Sequence, residues 1–223
     1  MRNTEREAFL TIDKAEELTG VHYTLKHTGK MSGMQSLSTS CLCNKNCLNR
    51  VENVNLVCSH CYAQRQMKMY KNLEKCLKKN TEILTTRLLT DEEIPLINAA
   101  FFRFESFGDL NNEIQVVNYF RICKRNKHVK FALWTKNPWI IAGTINNGEN
   151  KPRNLQVIYS SPYLDKCDNK LNKYPFIDKI FTVYTKEYIK ENNIEINCGA
   201  KSCLSCHKCY VKSKEIYINE KCK

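Results

Sequence analysis

The segment Ala99–Asp109, with the sequence AAFFRFESFGD, carries the pattern that decides the fold. Its first six residues, Ala99–Phe104, form a short apolar run interrupted by Arg103, which is typical of a buried strand. The residues that follow, Glu105–Asp109, are mostly polar or small, as expected where a strand ends in a turn. We therefore predict a buried strand that delivers polar groups to its carboxyl end.

The same pattern recurs three times later in the chain. Further apolar runs predict strands at Val129–Trp134, Leu155–Tyr159 and Ile180–Tyr184. Helical patterns follow the predicted strands at Glu113–Arg125, Pro138–Ile145 and Lys186–Asn192. Strands that alternate with helices argue for an α/β fold with a parallel sheet and crossover helices.

The ends of these strands are the candidate ligand site, because ligands of parallel α/β folds bind at the carboxyl ends of the strands. Thr135 and Lys136 follow the second predicted strand, as Glu105–Asp109 follow the first. Ordinary polar turns are the alternative explanation. Arg103 is expected to point inward, toward a carboxylate or phosphate or into an ion pair with Glu105.

The first part of the chain is less regular. A helical pattern runs from Tyr62 to about Asn80, with lysines opposite its apolar face. This basic face would attract an anionic partner such as nucleic acid, or it is simply solvated. Thr90 and Glu93 form a candidate capping box for a short helix, and residues 1–40 show no clear period.

The composition excludes several classes of protein. Of 223 residues, 42% are hydrophobic and 26% are charged, which is an ordinary globular balance. No run approaches the roughly 18 apolar residues of a membrane-spanning helix, and Met1–Leu10 lacks the apolar core of a secretory signal. Neither a G-x-G-x-x-G motif nor a P-loop is present. We expect a cytoplasmic protein with no membrane contact.

Thirteen cysteines and a net charge of +12 are the unusual features. An odd number of cysteines without a secretory signal argues against a disulfide scaffold. Clustered cysteines in a reducing compartment indicate metal or iron–sulfur ligands, because thiolates are the soft ligands that these centres need. The charge favours nucleic-acid contact less strongly, since the excess of lysine over arginine also fits an AT-rich coding bias.

The sharpest motif lies near the C-terminus, where four cysteines have the spacing C-x4-C-x2-C-x2-C. Its members are Cys198, Cys203, Cys206 and Cys209. Four thiolates complete the coordination shell of a four-iron cluster, a two-iron cluster or a tetrahedral zinc, and the spacing does not choose among them. His207 lies inside the motif and is interpreted as a neighbour rather than a ligand.

A second group of five cysteines lies near the N-terminus. We predict Cys43, Cys47, Cys58 and Cys61 as metal ligands, with Cys41 as the spare. A helix is predicted to begin directly after Cys61, where free N–H groups stabilise negative charge. The sequence leaves open whether the two groups share one centre.

The N-terminal group resembles, with an insert, the cysteine loop of the radical S-adenosylmethionine superfamily. In that family three cysteines after the first strand hold a four-iron cluster whose open iron binds the cofactor. The segment Glu105–Asp109 resembles the Gly-Gly-Glu element that receives the amino group of the cofactor. The chain lacks the contiguous C-x3-C-x2-C and the Gly-Gly pair of that family.

This resemblance implies a radical-SAM-like partial (β/α) barrel over residues 1–192 and a cysteine-rich C-terminal extension over residues 193–223. It implies S-adenosylmethionine, one or two four-iron clusters, and a reductant such as flavodoxin or ferredoxin. The C-terminal group would resemble an auxiliary cluster. The implied cofactor-binding residues are Glu105, Ser106, Gly108, Asp109, Thr135 and Lys136.

The chain resembles more closely the gene-product-eighty-eight family of cysteine-rich phage proteins. The resemblance rests on C-Y-A at Cys61–Ala63, R-F-x-S-F-G-D at Arg103–Asp109 and F-A-L-W-T-K at Phe131–Lys136. That family implies no particular activity, and it would place the protein in the cytoplasm of the host.

These features favour an iron–sulfur enzyme of the radical S-adenosylmethionine type, acting on an unknown small-molecule, nucleotide or nucleic-acid substrate. The alternative is a non-catalytic phage protein, stabilised by zinc or closed iron–sulfur sites, that binds nucleic acid or a host protein. A metal-dependent nuclease is a weaker third hypothesis, because Glu105, Asp109 and Asp165 form no recognisable two-metal pattern.

Overall fold

The computed structural model describes residues 10–222, which form a mixed α/β fold around one seven-stranded sheet. The strands are β1 (Tyr23–Thr24), β2 (Gln35–Leu37), β3 (Phe101–Phe104), β4 (Lys130–Thr135), β5 (Leu155–Leu164), β6 (Lys179–Tyr184) and β7 (Tyr217–Lys221). They lie in the sheet in chain order, with β1 antiparallel to β2 and every later pair parallel. The predicted α/β class with a parallel sheet is confirmed.

Eight α-helices lie within the described residues. They are α1 (Ile12–Thr19), α2 (Lys45–Val51), α3 (Tyr62–Met69), α4 (Lys71–Thr86), α5 (Glu113–Arg125), α6 (Pro138–Asn146), α7 (Lys186–Asn192) and α8 (Cys203–Cys206). The predicted bounds of α5 and α7 are confirmed, and α6 is one residue longer than predicted. Short 3₁₀ turns cover Gly29–Met31, Cys41–Cys43, Val57–His60, Asp91–Glu93 and Lys208–Tyr210.

Local side-chain chemistry explains several helix ends. The side chain of Asn112 accepts a hydrogen bond from the Gln115 backbone N–H at 3.1 Å and so caps α5. The capping box of Thr90 and Glu93 is confirmed, although it begins a 3₁₀ turn rather than an α-helix. The helix predicted from Tyr62 to about Asn80 is two helices, because Tyr70 adopts an extended backbone conformation between α3 and α4.

Helices α2 and α8 and four further elements were not predicted. Helix α1 and strands β1 and β2 lie within residues 1–40, and β7 lies in the segment predicted as a C-terminal extension. Strands of two or three residues are too short to show a period of two. Strand β7 pairs with β6, so this part of the extension belongs to the same sheet. Residues 1–9, where the absence of a secretory signal was predicted, lie outside the described chain.

The two faces of the sheet are packed differently. One face carries the main core, in which the ring of Phe104 stacks on Phe131 at 5.3 Å and on Tyr119 of α5 at 4.2 Å. Burial of each such ring stabilises the fold by about 1.5–3 kcal/mol. The opposite face carries a smaller cluster in which Ala132 packs with Tyr210 and with the C-terminal cysteines. The C-terminal segment therefore covers the face opposite the main core.

Candidate functional site

The N-terminal cysteine loop begins directly after β2, the first of the parallel strands. Of the three residues between β2 and Cys41, Ser38 and Ser40 have backbone groups that are held by α4. The Asn80 amide donates to the Ser38 carbonyl at 2.9 Å, and the Ser40 N–H donates to the Thr81 hydroxyl at 2.8 Å. The cysteines thus leave the carboxyl edge of the sheet from a fixed position.

Cys41 and Cys61 are in direct contact. The Cys41 thiol hydrogen-bonds to Cys61, which lowers the pKa of Cys61, and the backbone N–H groups of Gln64 and Ala63 lower it further. These two N–H groups belong to the first turn of α3, for which Cys61 is the N-cap. A thiol at a helix N-terminus with donors around it favours the thiolate, which is the metal-binding form.

Cys47 and Cys58 lie close to charged groups at the same edge. Burial and the nearby Asp109 carboxylate raise the pKa of Cys47. Burial also raises the pKa of Cys58, against the opposing effect of Lys136 and Arg50. Both thiols therefore lie in a partly buried pocket of mixed charge.

The predicted ligand Cys43 is placed differently from the other members of its group. Its residue is exposed, and it interacts electrostatically with Lys78 on α4. Cys41, predicted as the spare, is buried against Cys61. The structure therefore brings Cys41, rather than Cys43, into contact with Cys61.

Asp109 connects three parts of this edge. Its carboxylate accepts the Thr135 hydroxyl at 2.6 Å and the Lys136 backbone N–H at 3.1 Å, and it pairs with the Arg50 guanidinium at 3.4 Å. The Lys136 ammonium donates to the Ser160 hydroxyl at 3.0 Å. The predicted residues Asp109, Thr135 and Lys136 therefore form one network beside the cysteines.

Sequence reasoning missed Arg50. Its guanidinium donates to the side chain of Asn137 and to the carbonyl of Lys136, and it lies 5.8 Å from the centre of the Trp139 ring. The sequence did offer a signal for this residue, because Arg50 lies between Cys47 and Cys58. A cation inside a cysteine loop can compensate the negative charge of the thiolates. Arg50 binds α2 to the end of β4.

Glu105 does not join this network. It adopts a left-handed conformation with φ of +57°, and the residue is only 3% exposed. Its carboxylate accepts hydrogen bonds from Thr39, Gln115 and Tyr119. Burial raises its pKa to about 7, although these donors favour the ionised form. This predicted cofactor ligand is thus engaged with α5 and the Thr39 loop.

Gly108 and Ser106 support this arrangement. A Cβ atom on Gly108 would lie 2.5 Å from a carboxylate oxygen of Glu105 and 2.5 Å from the Thr39 carbonyl, so glycine is needed there. The Ser106 hydroxyl contacts the Ser38 hydroxyl at 2.8 Å, and its carbonyl accepts a hydrogen bond from Tyr62. The backbone after β3 is therefore packed tightly against the cysteine loop.

Arg103 lies on the sheet face that the C-terminal segment covers. Its guanidinium carbon is 4.0 Å from the centre of the Trp134 ring, and its Nη1 donates to the Met31 sulfur at 3.4 Å. Its Nε is buried without a hydrogen-bond partner among residues 10–222. The alternative of an ion pair with Glu105 is not found, since the Glu105 carboxylate is directed to other partners.

The four C-terminal thiols interact electrostatically with one another and with nearby cations. Burial raises the pKa of Cys209 to about 12, with the neighbouring Cys198 as a second cause. Burial likewise raises the pKa of Cys203, against the effect of Arg103 and Lys30. The Lys30 ammonium lies 3.1 Å from the Cys198 sulfur. Lys30 and Arg103 thus lie close to this thiol group, together with the Glu220 carboxylate that pairs with Lys30.

The His207 ring packs against an aromatic side chain and is not directed toward the cysteine sulfur atoms. Its ring stacks on Phe101, with centroids 5.5 Å apart and an interplanar angle of 7°. Its backbone is left-handed, with φ of +40°, and it ends α8 between Cys206 and Cys209. The placement fits a neighbour of the thiol group.

The thiols are not closed into a metal site. Between residues 10 and 222, no group of three or more His, Cys, Asp and Glu side chains is gathered closely enough to hold a metal ion. All thirteen cysteines are free thiols, so the donor chemistry fits soft-metal and iron–sulfur binding. Ligation at either group would require its sulfur atoms to move together.

Comparisons with known proteins add one finding. The family model described as gene product 88 matches residues 2–222. No curated protein and no solved structure matches the chain. Across the described part of the chain, no helix has the length and apolar character needed to span a membrane.

Proposed function

The chain belongs to the gene product 88 family, and we propose that it is an iron–sulfur enzyme of the radical S-adenosylmethionine type. The observation that carries the proposal is the position of the N-terminal thiols. They follow the first parallel strand and lie beside Asp109 and Lys136, which follow the second and third. Ligands of parallel sheets bind at this edge.

The sequential strand order supports the barrel that the proposal includes. Five strand pairs are parallel and follow chain order, and α5 and α6, which connect β3 to β4 and β4 to β5, both contribute to the main core on one face of the sheet. A sheet covered in this way can curve toward its other face, as in (β/α) barrels. We propose a partial barrel whose open side is covered by the C-terminal segment.

Three members of the predicted ligand set interact electrostatically with Lys136 at this edge: Cys47, Cys58 and Cys61. In the proposal these three thiolates would hold a four-iron cluster. Such a cluster, when reduced by a flavodoxin or ferredoxin, supplies the electron for reductive cleavage of S-adenosylmethionine. Arg50 and Lys136 provide positive charge next to the thiolates.

The proposed cofactor site uses the groups that face the same edge. Asp109 is suited to accept hydrogen bonds from an ammonium group, and Thr135 and Lys136 orient its carboxylate. Ser106 and Gly108 allow the close packing of the loop, while Glu105 acts through Thr39 rather than on the cofactor. The second proposed centre uses Cys198, Cys203, Cys206 and Cys209, with charge compensation from Lys30 and Arg103.

One observation favours a second candidate function. The contact of Cys41 with Cys61 offers a fourth thiol to the N-terminal centre. Four protein ligands close a centre and leave no position for a cofactor. Both centres would then be structural iron–sulfur or zinc sites in a non-catalytic protein that binds nucleic acid or a host protein.

Anaerobic purification with iron, sulfide and zinc measured per chain distinguishes the two functions. The protein is then reduced with S-adenosylmethionine, and 5′-deoxyadenosine is quantified. We expect iron and sulfide for two clusters, with cofactor cleavage that disappears in Cys61→Ala and persists in Cys167→Ala, an exposed cysteine outside both groups. Zinc without iron would refute the enzyme, and iron without cleavage would support closed centres.

A further inference from the structure

Three large aromatic side chains are exposed around the N-terminal cysteine loop. Tyr62 is 49% exposed, Trp139 47% and Tyr163 40%. Exposed aromatic rings are costly to leave in water and mark binding surfaces when they cluster. We name this set the aromatic rim.

Each member of the aromatic rim either follows the cysteine loop directly in the chain or contacts a residue of the loop. Tyr62 follows Cys61 and donates its hydroxyl hydrogen bond to the Ser106 carbonyl. Trp139 lies under the guanidinium of Arg50, within the cysteine loop. Tyr163 pairs through its backbone with Leu56, two residues before Cys58. The three rings are thus held at the same edge of the sheet.

The rim is interleaved with cations. Arg50 lies 5.8 Å from the ring centre of Trp139, and the Lys166 ammonium lies 5.3 Å from that of Tyr163. Lys166 is also exposed to solvent. On α3, Arg65 follows Tyr62 by three residues and is therefore on the same helix face, and it too is exposed.

We infer that the aromatic rim binds single-stranded nucleic acid, with bases stacked on the rings and phosphates beside Lys166 and Arg65. This inference rests on the proposed function, for which it names the substrate class. Stacking on aromatic side chains and a positively charged surface are the two features of sequence-tolerant single-strand recognition. The net charge of +12 has the sign that this partner requires.

The chemistry favours a single strand over other anions. Bases in a duplex are stacked on each other and present only their edges, so aromatic rings gain little from them. An acidic peptide would satisfy the cations but offers no flat surfaces to the three rings. A single strand uses both features of the surface.

Fluorescence anisotropy with labelled strands of about 20 nucleotides tests the inference. The probes are single-stranded DNA, single-stranded RNA, the DNA duplex and polyglutamate of similar charge, added to the full-length protein. We expect at least one single strand to bind about tenfold more tightly than the duplex and polyglutamate. Equal affinity for polyglutamate would assign the surface to acidic partners, and no binding of either strand at about 50 mM salt would also overturn the inference.

Matched variants locate the binding surface. Trp139→Ala should weaken single-strand binding by about tenfold, whereas Tyr217→Ala, a similarly exposed aromatic on β7, should change it less than about twofold. Lys166→Ala should reduce the slope of log affinity against log salt by about 0.7, and Lys190→Ala on α7 should affect it less. Equal effects within each pair would contradict the assignment.

This experiment separates the inference from the proposed function. Anisotropy requires neither a reductant nor cofactor cleavage, and the iron content is measured on the same preparation. Binding of single-stranded nucleic acid by protein that contains no iron would support the proposed binding surface and refute the proposed iron–sulfur enzyme. Cleavage of S-adenosylmethionine without binding of single-stranded nucleic acid would support the proposed enzyme and refute the proposed binding surface.

Discussion

The Asp109 carboxylate accepts a 2.6 Å hydrogen bond from the Thr135 hydroxyl and thereby joins the ends of two neighbouring parallel strands. The same carboxylate accepts the next backbone N–H, of Lys136, and pairs with Arg50. One side chain thus fixes the geometry of β3, β4 and the cysteine loop. Its removal should affect stability as well as any ligand binding at this edge.

Asp109→Asn should lower the free energy of unfolding by about 2 kcal/mol, because an amide nitrogen would replace one acceptor oxygen among buried donors. Urea unfolding followed by circular dichroism measures this change. Asp13→Asn on α1, where the aspartate is exposed, should change stability by less than about 0.5 kcal/mol. Similar values for the two variants would refute the role of Asp109 as the connecting group.

Glu105 should make stability depend on pH. Its pKa is about 7 in the folded protein against an ordinary value of 4.5, so the folded state holds the proton more tightly. Its contribution is therefore fully present below about pH 4.5 and is lost as pH rises through about 7, a change of about 3 kcal/mol. The free energy of unfolding measured in urea between these pH values should fall accordingly.

The matched variant for this prediction is Glu105→Gln, which does not titrate. Its pH profile should be flatter than that of the unmodified protein over this range. It should also be less stable near pH 8, because its amide N–H groups face the donors Thr39 and Tyr119. Parallel pH profiles for the two proteins would show that Glu105 does not carry the dependence.

Gly108→Ala should destabilise the fold by several kcal/mol, on the order of 2–4, since the new methyl group meets a backbone carbonyl and a buried carboxylate oxygen at 2.5 Å. The control is Gly199→Ala, where nothing lies within 4 Å of the added atom. Thermal unfolding should show a large decrease in Tm for the first variant and almost none for the second. A tolerated alanine at position 108 would contradict the tight packing of this loop.

Cys61→Ala and Cys43→Ala should differ in metal content. If the proposed N-terminal centre exists, Cys61→Ala should lose about half of the bound iron, because one of two clusters loses a ligand. Cys43→Ala should retain it, because Cys43 is exposed and interacts with Lys78 on α4. Iron and sulfide assays on anaerobically purified protein provide the measurement. Loss of iron in Cys43→Ala would show that Cys43 is a ligand after all.

The predictable part of the fold is its central repeat. Strands β3 to β6 are apolar runs long enough to be recognised, and α5 combines an Asn112 cap with a clear apolar face. The short strand β2 has only three residues and depends on pairing with β3, which is a tertiary contact. The local pattern of apolar and polar residues does not reveal pairing between distant strands. The first 40 residues therefore show no recognisable period.

The candidate site was also predictable only in part, because some of its contacts follow from the strand pattern and others depend on tertiary structure. The ends of β3 and β4 were correctly placed at one edge, and Asp109, Thr135 and Lys136 lie together there. The direction of the Glu105 side chain depends on the left-handed backbone conformation of this residue. That conformation is uncommon for glutamate and cannot be predicted from the residue type. The contact between Cys41 and Cys61 depends on how a 20-residue loop folds back, which spacing alone does not describe.

The order of the strands also has a consequence for how the protein is made. Because each strand lies next to the one synthesised before it, β1 to β4 can pair as the chain leaves the ribosome. By then the N-terminal thiols, Asp109 and Lys136 have all been synthesised. The segment that covers the opposite face of the sheet emerges last. A nascent chain therefore has a period in which the residues of its N-terminal thiol group are present while those of the C-terminal group have not yet emerged.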